Sequence, residues 1–140
     1  MSLPLAWVTR SEDELIGCLI SSQLARDIVT LAGLKSQHFS DYYLSSHGTR
    51  ARLFDVILSS DLGIVAVADK LNSIGGLKPG DGSFLVLVAE LSIIVPPDYE
   101  RLVNIILKAY IERQTAKGDI DSIKHLNIPV VKKVKGGVQL

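Results

Sequence analysis

Apolar residues recur at helical intervals along most of the chain, and this periodicity constrains its fold more than any other feature. Leu15, Ile16, Leu19, Ile20, Gln23, Leu24, Ile28 and Leu31 follow a 3.6-residue repeat. Ser11 and Glu14 ahead of them have capping-box spacing, with the hydroxyl placed to accept from an orphan amide, an arrangement worth about 1 kcal/mol. Gly33 is positioned to end the run in a left-handed conformation. The pattern predicts one long amphipathic helix over 12–32, with Ser21-Ser22 as its weak point.

The same reasoning extends along the chain. Residues 34–48 are loop-like, and Phe39 is the lone aromatic expected to plug a core edge there. Arg50 to Ser59 predicts a short helix with Leu53, Phe54, Ile57 and Leu58 inward. Ile64 to Ile74 predicts another, with Ile64, Val67, Ala68 and Leu71 on one face and Gly75-Gly76 as its stop. Lys78-Pro79-Gly80-Asp81-Gly82 has turn composition. Ser83 can then cap a helix carrying Phe84, Leu87, Val88, Leu91 and Ile94 or Val95. The run from Phe84 to Ala89 is apolar all round, so a buried strand is the alternative; the length of the segment favours helix. Pro96-Pro97 must end it, because a residue before proline is pushed out of the helical region. Asp98 caps a helix from Tyr99 to Lys117, with Leu102, Ile105, Ile106, Ala109 and Arg113 on one side and Gly118 closing it. Beyond Gly118 the period fades, since Pro129 and the Val-Lys run after it suit no continuous helix.

These elements imply an all-α domain, a compact bundle of five to six helices with a partial or truncated C-terminal hairpin. Its expected division is an N-terminal tail over 1–10, a helical domain over 11–118 and a weakly structured basic segment over 119–140. A chain of 140 residues suits one domain, and Leu19, Phe54, Leu87, Leu91 and Ile105 are expected to share its core. Formal net charge is zero, so there is no long-range attraction to nucleic acid or acidic lipid. A single cysteine, Cys18, allows no internal disulfide and suits a reducing cytoplasm. The N-terminal residues have neither the basic start of a signal peptide nor an apolar run long enough to span a membrane.

Read in order, several short motifs resemble the N-terminal domain of the DnaB replicative helicase. Glu12 and Gly17 match that family's first helix, and Phe39 its "DF" element, with His38 in place of the aspartate. Phe54 matches a second phenylalanine, after a segment from Asp41 to Ala51 that is longer than the family's. Ile64 to Leu71 resembles the "LxTLAExL" helix, Leu87 to Leu91 the "YLAEL" element with leucine for tyrosine, and Ile105-Ile106 with Arg113 the "IV…R" helix. The resemblance implies a non-catalytic protein–protein interaction module of DNA replication. Its partners would be primase, a helicase loader or copies of itself. The family's ATP-dependent motor is not represented, because no Gly-x-x-x-x-Gly-Lys-Ser/Thr loop is present. With the returning helix of the hairpin interrupted, a monomer or weak homodimer is expected rather than a ring.

The chemistry-bearing residues favour no enzyme, no cofactor and no metal. His38, His47 and His125 lie far apart with no helical pair between them, and Cys18 sits in an apolar helix as a buried thiol. No nucleophile elbow occurs, and Asp41 with His47 is better explained by loop solvation than as a dyad. Candidate partner-binding residues are Tyr42, Tyr43, Tyr110 and Ile111, since aromatic anchors contribute disproportionately to interfaces. Lys132, Lys133 and Lys135 form the one local basic excess, suited to a few salt-sensitive phosphate contacts. Two alternatives stay open: a nucleic-acid-binding accessory protein using those lysines, or a primase helicase-binding domain of similar helical architecture.

Overall fold

The computed structural model describes residues 4–42, 49–73, 81–94, 98–119 and 121. It is all-α. The helices are α1 (Leu5–Ser21), α2 (Gln23–Ala32), α3 (Thr49–Leu58), α4 (Ile64–Ser73), α5 (Asp81–Ile94) and α6 (Tyr99–Ala116), with a 3-10 turn at Ser36–His38. No strand occurs among the described residues, so the apolar run of α5 is a helix.

α1 begins at Leu5 after Pro4, whose carbonyl accepts from the Trp7 and Val8 amides. The expected boundary between residues 10 and 11 therefore falls inside a helix, and the Ser11–Glu14 capping box does not form. Ser11 Oγ instead donates back to the Trp7 carbonyl at 3.0 Å, and Glu14 pairs with Arg10 at 3.2 Å, both ordinary mid-helix contacts.

The helical run over 12–32 is two helices, parted at Ser22, within the weak point Ser21-Ser22 that the sequence marks. Ser22 is extended (φ −111°, ψ 112°) and caps α2 by accepting from the Ala25 amide at 3.1 Å. This break changes the direction of the chain and resets the inward face. Ala25, Val29 and Ala32 are buried, while Leu24 and Leu31, which belong to the helical repeat, are 61% and 60% exposed. Gly33, at φ 76°, closes α2: its amide donates to the Thr30 carbonyl and the Leu34 amide to the Val29 carbonyl.

α1 lies at the centre and packs against α5, α6 and α3. Leu15, Ile16 and Leu19 of α1 join Leu53, Phe54 and Ile57 of α3 in one core. Phe39 is fully buried with its ring 4.8 Å from that of Phe54, as expected for a loop anchor. α4 contributes Val67 and Leu71, whereas Ile64 at its start is exposed.

α5 begins at Asp81, two residues ahead of the expected Ser83 cap. It buries Leu85 and Val88, leaving Leu91 half-buried and Leu87 51% exposed. A sequence apolar on every side carries no phase, so periodicity could not choose between Leu87 and its neighbours. α6 is capped by Asp98, which accepts from the Arg101 amide at 3.1 Å. Because α6 packs on both α1 and α2, its buried face is wide: Leu102, Val103, Ile106, Leu107, Ala109 and Tyr110 are enclosed, and Ile105 is half-buried.

Candidate interaction surface

The polar side chains closest to the core hold helices together. Arg50 of α3 grips the Asp13 carboxylate with two donors, at 2.6 and 3.3 Å, and its guanidinium lies 5.5 Å from the centre of the Phe84 ring on α5. Burial works against the charge on Arg50, but the bond to Asp13 and the nearby carboxylates of Asp13, Glu12 and Asp41 outweigh it and raise its pKa. Arg52 of α3 pairs with Asp81 at the first turn of α5. Asp41 is not a solvated loop residue: it is buried and accepts from the Arg50 and Ala51 amides at 2.8 and 3.0 Å, satisfying the start of α3. His47, its suggested dyad partner, lies outside the described residues.

Glu12 is fully buried and accepts from the Ser40 amide and hydroxyl, each at 2.7 Å. Desolvation raises its pKa above 4.5 despite the bonds from Ser40 and the charge of Arg50. A raised native pKa means that the folded chain holds this proton to higher pH than the unfolded one. Its contribution therefore favours folding most at low pH and declines as pH rises above 4.5 through the native value. Glu12→Gln keeps an acceptor for the Ser40 amide without the buried charge. Denaturant unfolding of both proteins across pH 4.5–8 should show wild type losing stability relative to Glu12→Gln as pH rises; a difference independent of pH would refute this.

His38 is buried, its Nδ1 accepting from the Lys35 amide at 2.9 Å and its ring edge-on to Tyr110 at 4.6 Å. Its carbonyl accepts from Arg113 at 2.9 Å, tying the 3-10 turn to α6. Cys18 is buried, and desolvation with the nearby Glu14 charge raises its pKa, away from the thiolate form that reacts. Among the described residues no three of His, Cys, Asp and Glu converge to hold a metal ion. A groove of about 450 Å³ between the end of α3 and α4 is lined by Ser59, Ser60, Asp61, Asp69, Lys70 and Ser73, among others. It is open and polar and includes neither His nor Cys. No described helix is long and apolar enough to cross a membrane.

The expected partner-binding residues fare unevenly. Tyr110 is 1% exposed and belongs to the core, so it cannot anchor a partner without unfolding α6. Its position off the expected stripe was misleading, because α6 is covered on two sides. Tyr42 and Ile111 are partly buried against the core. Tyr43 and the three lysines Lys132, Lys133 and Lys135 lie outside the described residues. What periodicity missed is the outward side of α2. Leu24, Ile28 and Leu31, spaced i, i+4 and i+7, form one edge of that helix, with Ile28 half-buried and the two leucines in solvent. Asp27 and Thr30 border it.

Comparison of the chain with protein-family models, with curated proteins and with solved structures finds no match.

Proposed function

We propose that this chain is a non-catalytic interaction module that docks a protein of DNA replication, of the primase or helicase-loader class. Its docking edge on α2 is centred on Leu24 and Leu31. The observation that carries the reading is the outward placement of those two leucines at the break after Ser22. A helix that turns two leucines to water while burying two alanines presents an apolar ridge suited to a groove on a partner. The charged groups near the core support it, because Glu12, Asp13, Arg26, Asp41 and Arg50 are engaged in holding helices together. The replication context comes from the sequence resemblance to the helicase N-terminal domain.

Calorimetric titration of the chain with the primase and with the helicase loader of the same organism tests the proposal. Micromolar binding of one of them is expected. Leu24→Glu with Leu31→Glu should weaken it at least about tenfold, or ~1.4 kcal/mol, with the melting temperature retained. Binding to neither protein, or binding indifferent to the double substitution, would refute it.

A further inference from the structure

The two outward leucines of α2 have a polar flank, and its chemistry specifies what faces it. Successive side chains of a helix turn by about 100°. Asp27, between Leu24 and Leu31 in the chain, therefore projects within about 60° of both leucines, on the side away from Ile28. Gln23 and Thr30 continue the flank beyond it, and all three polar side chains are exposed.

The donors of this flank are turned back onto the helix. The Gln23 amide donates to Asp27 Oδ1 at 2.9 Å, which holds the carboxylate in place. The Thr30 hydroxyl donates to the Arg26 carbonyl at 2.8 Å. What remains for a visitor is chiefly acceptor: Asp27 Oδ2, Gln23 Oε1 and the lone pairs of Thr30 Oγ1. The other charged side chain of α2, Arg26, is buried and bonded to the carbonyls of Leu19, Ile20, Ser60 and Asp61. The exposed side of α2 thus carries one negative charge and no cation of its own helix.

With α2 as the docking edge, on which the inference rests, we propose that the partner sets a cationic side chain, lysine or arginine, against Asp27. It stands at the rim of the groove that takes Leu24 and Leu31. Burying those leucines strips water from the neighbouring carboxylate, a cost that a facing cation offsets. Either basic residue suits the place, since its aliphatic stem can lie along a leucine while its charged head meets Asp27. A second copy of this chain does not. Pairing two α2 helices antiparallel, with Leu24 of each against Leu31 of the other, puts the symmetry axis between residues 27 and 28. The two Asp27 carboxylates would then crowd together, and like charges at an interface are disfavoured.

Titrating whichever of the primase and the helicase loader binds, over a range of salt concentrations, tests the cation separately from the docking edge. Wild-type affinity should fall as salt rises. Asp27→Asn should weaken binding about fivefold at low salt and flatten that dependence, and Asp27→Lys should weaken it at least about tenfold. Both variants should keep the wild-type melting temperature, because Asp27 is exposed. Binding that is lost in Leu24→Glu with Leu31→Glu but indifferent to both Asp27 variants would overturn the cation and leave the docking edge standing. So would tighter binding by Asp27→Lys. A weakening by Asp27→Asn with the salt dependence of wild type would mark a neutral hydrogen bond, and would overturn the cation equally. Binding by neither protein would overturn both readings, as would a dimer of the chain that the double leucine variant disperses.

Discussion

Arg26→Ala is expected to destabilise the protein by about 1.5–3 kcal/mol, the range for losing hydrogen bonds made by a charged group to buried carbonyls. Arg26 is 7% exposed, and its guanidinium ties two helix ends together. Nε donates to the Leu19 carbonyl at 2.7 Å, and the terminal nitrogens donate to Ile20 at 3.4 Å, Ser60 at 2.5 Å and Asp61 at 3.4 Å. The Leu19 and Ile20 carbonyls are among those that the end of α1 leaves without helical partners, and those of Ser60 and Asp61 belong to the loop after α3. Gly63 completes the clasp by donating its amide to Ile20 at 2.8 Å, from a left-handed φ of 108°. Burial lowers the Arg26 pKa, yet an arginine remains protonated throughout the neutral range. Lysine offers no planar fork, so Arg26→Lys should recover only part of the loss. Urea unfolding measures both; a loss below about 1 kcal/mol for alanine would mean that water replaces the guanidinium at these carbonyls.

A larger loss is expected in the hydrophobic core. Phe54→Ala should cost about 3–5 kcal/mol, since the ring is fully enclosed against Phe39 and its removal leaves a cavity. Leu87→Ala should change stability by no more than about 0.5 kcal/mol, because half of that side chain already faces water. Thermal or urea unfolding of the pair fixes the phase of α5. Equal losses would place Leu87 in the core and turn the helix from its present orientation.

Much of the architecture was legible in the sequence where punctuation and period agree. Gly33 and Asp98 mark real helix ends, and Leu15, Leu19, Phe54, Leu102 and Ile106 face inward as their spacing predicts. The failures share a physical origin. Period gives the face of a helix only while the helix continues straight, so a repeat carried across the break at Ser22 does not fix the face of Leu24 and Leu31. It gives no face where every residue is apolar, as at Leu87, and too narrow a face where two neighbours cover a helix, as at Tyr110. The candidate site was least legible because its leucines carry no signature apart from their position. The network of Glu12, Asp41 and Arg50 could not be read either, since it joins residues far apart in sequence.

Amide chemical-shift mapping of the isotopically labelled full chain, titrated with unlabelled primase or helicase loader, tests the docking edge most directly. Perturbations clustered on residues 23–32, and strongest around Leu24, Ile28 and Leu31, are expected, with the core amides of α1 and α3 unmoved. A binding partner that leaves α2 silent, or no perturbation by either protein at saturating concentration, would contradict it.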